Sequence, residues 1–292
     1  MDIGEQARAW KAALEFKQTP QGNIAYRDIG QGKAALFIHG FPLNSFQWRD
    51  VVSGLTDDRR CIVPDLLAMG MTEVAEGQQV DFAGQSAMLI ALLDGLGIEH
   101  FDIVANDSGI GVAQLIAGDH PDRVRTLLLT NGDVEPDSPP EPLLPIIELA
   151  RAGGFADHFV AASIADKNFT RSAEGLGGLT YTNPERFSDE AIDYYLKPLV
   201  ESDQRKRLIN AYAAAMLPNP LEGIEAKLKE CLIPTRIVWG MADIIFKVGD
   251  ADYLDRLLPG SCGIRRIEGA KLFWPEEFPD IVIEECRILW QQ

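Results

Sequence analysis

Short apolar runs and longer segments of helical periodicity alternate along most of the chain. The apolar runs predict buried strands, because a strand covered on both faces shows no polar alternation. Segments in which apolar residues recur every three or four positions predict helices. Strands are predicted at residues 35–38, 60–64, 101–106, 124–130, 235–239 and 263–267, and helices at 81–96, about 110–118, 251–258 and 281–290.

This alternation is interrupted between residues 135 and 230. Prolines cluster at the start of that segment, and its periodicity is helical without evident buried strands. Strands and helices that alternate on either side of it predict a mainly parallel sheet flanked by helices, with ligands at the carboxyl ends of the strands. The sequence therefore predicts an α/β fold with one core, residues 20–134 and 231–292, and an inserted helical cap, residues 135–230.

Composition narrows the class of protein and of partner. The chain has 292 residues and a formal charge of −17, with acidic residues scattered along it, which opposes binding to nucleic acid or anionic membranes. Four cysteines far apart, without a CxxC pair, predict free thiols in a reducing compartment. No apolar stretch has secretory or membrane-spanning length. We expect a cytoplasmic protein that acts on a small molecule without a metal or other cofactor, and the sequence does not indicate its oligomeric state.

The strand at 101–106 runs into a turn of small residues that has the properties of a nucleophile elbow, a tight strand-to-helix turn that lifts one reactive side chain above the sheet. With Asp107 as the nucleophile, the small residues Ala105 and Gly109 lie two positions before and after it. With Ser108 as the nucleophile, larger residues would crowd the turn. The flanking residues favour Asp107, which is ionised at neutral pH and can attack a saturated carbon to give a covalent ester.

Seven motifs, in order, resemble the α/β-hydrolase superfamily and specifically its aspartate-nucleophile branch, which contains haloalkane dehalogenases, fluoroacetate dehalogenases and epoxide hydrolases. Together they cover nearly the whole chain outside the insertion. They are HGFP at 39–42, FQWR at 46–49, PDLLAMGMT at 64–72, NDSG at 106–109, HPDRV at 120–124, WGMAD at 239–243 and EGAKLFWPEE at 268–277. The resemblance implies an α/β-hydrolase fold in which the insertion is the cap.

The same resemblance implies a role for individual residues. Asp107 is the nucleophile, and Asp243, after the strand at 235–239, is the acid that orients a catalytic histidine. The backbone N–H groups of Phe41 and Ser108 form the oxyanion hole. The family's histidine stands after the last strand, shortly before an aromatic residue and a glutamate. In this chain that position holds Leu272, which cannot accept a proton.

Loss of the imidazole leaves three interpretations open, since positioned general-base catalysis contributes about 10² to 10⁴ in rate. The chain hydrolyses its substrate with water activated by Asp243, by Glu276 or by His158 from the insertion. Alternatively, Asp107 acts as an acid or base in an elimination, isomerisation or cyclisation. In the third interpretation, the chain binds a ligand without converting it.

Residues that mark the subfamilies are also changed. Haloalkane dehalogenases hold the halide with a Trp after the nucleophile and an Asn or Trp in the first loop, and fluoroacetate dehalogenases place an Arg after the nucleophile. This chain has Ser108 and Phe41 at those places. Epoxide hydrolases use cap tyrosines to protonate the opening ring. The insertion holds four tyrosines for which packing is the alternative role, namely Tyr181, Tyr194, Tyr195 and Tyr212.

Two further residues are candidates for the wall of a substrate pocket. Tyr181 lies in the insertion, and Trp274 follows Phe273 in the loop that lacks the histidine. Pocket walls are mostly apolar and aromatic, and core packing is the alternative for both residues. The sequence thus predicts an enzyme that acts on a small apolar substrate through Asp107, nominally a hydrolase of epoxides or related electrophilic carbon.

Overall fold

The structure is a computed structural model that describes residues 2–291. Nine strands form one sheet within these residues. They are β1 (Glu15–Thr19), β2 (Gly22–Ile29), β3 (Ala34–Ile38), β4 (Arg60–Pro64), β5 (Glu73–Val74), β6 (Phe101–Asp107), β7 (Val124–Gly132), β8 (Thr235–Gly240) and β9 (Ser261–Ile267). The order across the sheet is β1-β2-β4-β3-β6-β7-β8-β9, and β5 pairs with β2. Strands β3, β4 and β6 to β9 run parallel, which confirms the predicted mainly parallel sheet.

Helices flank this sheet and fill the connection between β7 and β8. The helices are α1 (Ile3–Ala12), α2 (Arg49–Ser53), α3 (Phe82–Gly95), α4 (Ser108–Asp119), α5 (Leu144–Arg151), α6 (Ala161–Ala165), α7 (Lys167–Arg171), α8 (Leu176–Thr180), α9 (Asp189–Val200), α10 (Asp203–Ala214), α11 (Ile224–Leu228), α12 (Val248–Leu257), α13 (Trp274–Glu277) and α14 (Pro279–Leu289). Helices α5 to α11 lie in the predicted insertion, residues 135–230, called the helical insertion below. Its standing as a separate cap stays a prediction.

Burial of the central strands explains why they appear as apolar runs in the sequence. Every residue of β3 and β6 is buried, because both neighbours in the sheet and helices cover them. Parallel strands bring their carboxyl ends to the same edge of the sheet. The loops after β3, β6, β7 and β8 therefore meet where β6 ends, at Asp107, which pairs with Gly132 of β7.

The amino-terminal elements did not appear in the sequence pattern. Helix α1 and the antiparallel pair β1 and β2 precede the first predicted strand, and β1 begins at Glu15, before the predicted start of the core at residue 20. Strand β1 lies at the sheet edge and is mostly exposed, so it shows no apolar run. Helix α1 is anchored by Trp10, whose indole N–H donates to the Ser45 hydroxyl at 3.0 Å.

A buried polar cluster joins the helical insertion to the core. Arg49 of α2 forms an ion pair with Glu276 of α13, and both side chains are at least nine-tenths buried. Two hydroxyls from the insertion donate to the same carboxylate, from Tyr181 at 2.6 Å and from Tyr195 at 3.1 Å. A buried charge that lost these partners would cost several kcal/mol, so the cluster holds the two parts together.

A second contact joins α10 to the loop before β5. The Arg205 guanidinium, most of it buried, donates to the backbone carbonyls of Gly70 and Thr72 in the core and of Pro198 at the end of α9. Burial lowers the pKa of Arg205, but the group stays ionised at neutral pH. Helix α10 is thereby fixed against the edge of the core.

No helix within residues 2–291 combines the length and the apolar character needed to cross a bilayer. Cys61, Cys231 and Cys286 are free, buried thiols. Burial raises the pKa of Cys61 to about 12 and that of Cys286 well above its ordinary value, so neither is a reactive thiolate at neutral pH.

Candidate active site

Asp107 stands at the sharp turn between β6 and α4. Its φ is +58°, a value that non-glycine residues rarely adopt and that a tight elbow requires. The turn leaves no space beside it, because a Cβ on Gly109 would lie 2.7 Å from the carbonyl oxygen of Ile38. The small residue predicted after the nucleophile thus allows α4 to begin against β3.

The Asp107 carboxylate is held by backbone amides. Its Oδ1 accepts hydrogen bonds from the N–H groups of Phe41, at 3.1 Å, and Ser108. These are the two amides that the resemblance assigns to an oxyanion hole, and that role stays a prediction. Burial raises the pKa of Asp107 to about 6, and the bonds from Ser108 and Phe41 oppose the shift. The group is therefore mostly ionised at neutral pH.

His39, at the end of β3, is a structural residue. Its Nδ1 lies 2.9 Å from the carbonyl oxygen of Gly40, and its Nε2 accepts a hydrogen bond from the Leu66 amide at 2.9 Å. Burial lowers the pKa of His39 to about 4, so the ring is neutral and Nδ1 carries the proton. Both ring nitrogens are therefore used in holding loops.

Asp243 accepts hydrogen bonds from one side chain and two backbone amides. Its Oδ2 accepts from the Asn131 side chain at 2.8 Å, and its Oδ1 accepts from the amides of Ile245 at 2.8 Å and Phe246 at 3.3 Å. Burial raises the pKa of Asp243 to about 7, against the effect of these bonds, and the charge of Asp107 raises it further. Asp243 is thus half-buried, close enough to Asp107 for that charge to act on it, and it accepts its hydrogen bonds from groups other than an imidazole.

Leu272 occupies the loop at the carboxyl end of β6. It is buried, and its carbonyl oxygen accepts from the Asn106 side chain at 3.1 Å. Within residues 2–291, no hydrogen bond connects a histidine ring to Asp107. His158, the alternative base from the insertion, is exposed, whereas Asp107 is only 5% exposed. Among the described residues, the Asp107 carboxylate therefore has no hydrogen bond to an imidazole.

One of the four insertion tyrosines contacts the elbow. The Tyr212 hydroxyl, from α10, donates to the Ser108 hydroxyl at 2.9 Å. Its ring stacks on Phe41 with centroids 5.3 Å apart, and the Phe155 ring packs against Phe41 with centroids 5.4 Å apart. Burial raises the pKa of Tyr212, which keeps its hydroxyl neutral. Aromatic rings from core and insertion thus cover the elbow.

The two predicted pocket residues have other partners. Tyr181 has no exposed surface and bonds to Glu276, and burial together with that carboxylate raises its pKa well above the ordinary value. The Trp274 indole donates to Asn131 Oδ1 at 3.0 Å. The same Asn131 side chain donates to Asp243 through its Nδ2. Both residues pack in the interior, and a place in a substrate pocket stays a prediction for each.

Asp133 is a buried acid that the sequence motifs did not single out. It follows Gly132, the residue paired with Asp107 across β6 and β7, and it accepts from the Ser138 hydroxyl at 2.8 Å. Burial, and then the charge of Asp107, raises the pKa of Asp133 to about 8. The sequence offered one signal for Asp133, namely an acidic residue shortly after the predicted strand at 124–130. Within residues 2–291, no group of three or more His, Cys, Asp or Glu side chains is placed to hold a metal ion.

Asp133→Asn is expected to raise the melting temperature by about 5 °C at pH 8 and by less at pH 5. The folded protein keeps the Asp133 proton up to pH about 8, whereas the unfolded chain releases it near its ordinary pKa of 3.8. Folding takes up a proton between these values, so the free energy of unfolding falls as pH rises through the window. Asparagine has no charge to bury and can still accept from Ser138.

Thermal unfolding between pH 5 and pH 8 measures this difference. The matched control is Asp122→Asn, which changes the same kind of side chain at an exposed position and is expected to leave the melting temperature nearly unchanged at every pH. If the difference in melting temperature between Asp133→Asn and wild type does not widen as pH rises, Asp133 is ionised in the folded protein.

The family is shown by the part of the sequence from β3 to the loop after β9. Residues 34–270 match a protein family described as alpha/beta hydrolase fold. The chain belongs to this family. Its α/β-hydrolase fold, predicted from the seven motifs, is confirmed by this match and by the sheet order, and the elbow at Asp107 lies within the matched residues.

Relatives of this α/β-hydrolase-fold chain include several enzymes. A cis-3-alkyl-4-alkyloxetan-2-one decarboxylase of Shewanella oneidensis is 28% identical over 254 residues, which cover 80% of this chain and 76% of the relative. Haloalkane dehalogenase 2 of Mycobacterium bovis is 23% identical over 290 residues, which cover 89% and 88%. Among solved structures, the epoxide hydrolase CorEH is 22% identical with a TM-score of 0.79 and coverage of 95% and 98%. Haloalkane dehalogenase DbeA of Bradyrhizobium elkani is 21% identical with a TM-score of 0.75 and coverage of 94% and 95%.

Proposed function

We propose that this chain is an enzyme for small apolar substrates in which Asp107 attacks an electrophilic saturated carbon and forms an alkyl ester. The observation that carries the proposal is the Asp107 carboxylate at the end of β6, whose Oδ1 is bound by the N–H groups of Phe41 and Ser108. Two donors on one oxygen orient the group and leave Oδ2 for the attack. No base is needed for this step, because the nucleophile is already ionised.

The surroundings of the elbow support an apolar substrate. Phe41, Phe155 and Tyr212 form a packed aromatic layer over it, and Phe82 lies 6.4 Å from the Tyr212 ring. Ring opening of an epoxide by Asp107 breaks a carbon–oxygen bond and leaves an alkoxide. The neutral Tyr212 hydroxyl lies next to the elbow and would donate to that oxygen by exchanging its present bond to the Ser108 hydroxyl for the new one.

Release of the ester is the step that the missing imidazole affects. Hydrolysis requires a base to take a proton from water as it attacks the ester carbonyl. Glu276 is an unfavourable base because it is ion-paired with Arg49 and accepts from two tyrosines. Asp243, with a pKa of about 7, supports the hydrolytic route better, although Asn131 already binds it. We therefore expect hydrolysis to be slower than ester formation.

A second candidate reaction avoids that step, and the absence of an imidazole at Asp107 favours it. The relative from Shewanella is named for decarboxylation of a substituted oxetan-2-one, a four-membered lactone. Attack of Asp107 on ring carbon C4 breaks the C4–O bond and leaves a carboxylate on C3. The electron pair of the C3–carboxyl bond then forms the C3=C4 double bond, CO₂ leaves, and the ester electrons return to Asp107. Neither water nor a proton is consumed.

Intact-protein mass spectrometry tests both routes. The protein is incubated separately with a 1,2-epoxyalkane, a 1-bromoalkane and a cis-3,4-dialkyloxetan-2-one, and volatile products are followed by gas chromatography. We expect a lasting mass increase, mapped to the peptide that contains Asp107, with the epoxide or the bromoalkane. Alkene and CO₂ from the lactone, without lasting modification, would support the second route. If no reagent is bound or consumed, the proposed function is wrong.

A further inference from the structure

A pair of buried carboxamides connects the first loop to the elbow. Gln47 Oε1 accepts a hydrogen bond from the Gly40 amide at 3.0 Å, and Gln47 Nε2 donates to Asn106 Oδ1 at 2.7 Å. Gln47 is 1% exposed and Asn106 is not exposed. Because the Gly40 N–H can only donate, the orientation of both carboxamides is determined. The two residues are 59 positions apart in the sequence.

The chain of bonds continues into the end of β7 and the loop after β9. Asn106 Nδ2 donates to the Thr130 hydroxyl at 2.7 Å and to the Leu272 carbonyl oxygen at 3.1 Å. The Thr130 hydroxyl in turn donates to the Ala105 carbonyl oxygen at 3.0 Å. Every link has a defined donor and acceptor, and the loop after β3, the end of β7 and the loop after β9 are tied to the residue that precedes Asp107.

The loop after β3, which Gln47 holds through the Gly40 amide, also carries the amide that binds Asp107. Gly40 is followed by Phe41, whose N–H donates to Asp107 Oδ1 at 3.1 Å. The loop also lies very close to the elbow, because a Cβ on Gly40 would be 2.5 Å from the Cβ of Asp107. A reacting group misplaced by about 1 Å can lose about 10²-fold in rate. A bond that fixes the Gly40 amide therefore also fixes the geometry of Asp107.

We propose that Gln47 and Asn106 are positioning residues that hold the Phe41 amide and the Leu272 loop against the Asp107 carboxylate. The motifs assign neither residue a role in the site. Asn106 directly precedes Asp107 in the chain. The inference rests on the proposed function for its effect on reaction rate. Its structural part, the hold on Asp107 Oδ1, can be measured without any substrate.

Gln47→Met is the test variant, since methionine has a similar length and volume but forms no strong hydrogen bond. The pKa of Asp107 is measured from the ¹³C signal of its carboxyl group, identified by comparison with Asp107→Asn. Because the Phe41 amide lowers the Asp107 pKa in the wild type, the variant is expected to raise that pKa by about one unit. At pH 8, the first-order constant for epoxide modification is expected to fall at least about tenfold, with little change in the half-saturating concentration.

Gln85→Met is the matched control. Gln85 is equally buried, and its carboxamide bonds only to backbone groups, accepting from Leu67 at 2.8 Å and donating to the carbonyls of Leu67 and Val80 at 3.0 Å. Loss of these bonds is expected to lower the melting temperature as much as Gln47→Met does. The pKa of Asp107 and the modification rate of the folded protein are expected to stay at wild-type values.

The outcomes separate this inference from the proposed function. An Asp107 pKa that Gln47→Met leaves unchanged, or that Gln85→Met shifts equally, overturns the positioning role. If Gln47→Met does not fold, Gln47→Leu is measured in the same way. A wild-type protein that reacts with no reagent, while Gln47→Met still raises the Asp107 pKa, refutes the proposed function and supports the positioning role.

Discussion

Asp107→Asn is expected to slow covalent modification by an epoxide at least about 1000-fold, because an amide is a far weaker nucleophile than a carboxylate. The change should not disturb the elbow. Asparagine Oδ1 can accept the same hydrogen bonds from Phe41 and Ser108 that Asp107 accepts. The rate of mass increase in the intact protein, measured at pH 8 where the wild-type carboxylate is ionised, gives the comparison.

Ser108→Ala is the control for this prediction, because Ser108 is the alternative nucleophile in the sequence. Alanine keeps the backbone N–H that binds Asp107 and removes only the hydroxyl that accepts from Tyr212. We expect its modification rate to stay within about tenfold of wild type, the effect of one hydrogen bond. Modification that survives in Asp107→Asn and disappears in Ser108→Ala would assign the nucleophile to Ser108.

Leu272→His is expected to accelerate release of the Asp107 ester by about 10² to 10⁴, the usual contribution of a positioned general base. The loop is held independently of the side chain, since the Leu272 carbonyl accepts from Asn106 and the Ala270 carbonyl accepts from the Ala242 amide at 2.9 Å. Ala242 directly precedes Asp243, so the loop lies beside the acid that the family pairs with its histidine.

The measurement is the decay of the preformed ester, followed by mass spectrometry after excess epoxide is removed. Leu272→Gln is the matched control, because glutamine is polar and similar in size but is no base at neutral pH. We expect it to leave the decay rate unchanged. An equal rate in Leu272→His and Leu272→Gln, with both variants folded, would mean that residue 272 does not face the ester and that another group controls release.

The predicted strands and helices follow from burial on both faces of the sheet. Strands β3, β4 and β6 to β8 were visible in the sequence because each contains a short apolar run that ends in a turn, whereas β9 contains two arginines and is only partly buried. The elbow was also visible in the sequence, because small residues around Asp107 are a local requirement of the turn. Helix α1 and strands β1 and β2 were missed. Strand β1 lies exposed at the sheet edge and therefore shows no apolar run.

Side-chain partners in the site could not be read in this way. The bond from Asn131 to Asp243 joins residues 112 positions apart, and the bond from Asn106 to Leu272 joins residues 166 positions apart. A single sequence contains no local signal for such pairs. The sequence could support the prediction that Leu272 stands at the family's histidine position, because that required only one position, and this stays a prediction. The groups that bind Asp243 depend on the tertiary fold.

Helix α10 combines two contacts on one rigid element. Tyr212 touches the hydroxyl of Ser108, and Arg205, about two turns earlier, fastens the same helix to two carbonyls of the core. A shift of α10 that separated Tyr212 from Ser108 would therefore also strain the Arg205 bonds, so one helix links the elbow mechanically to the edge of the core.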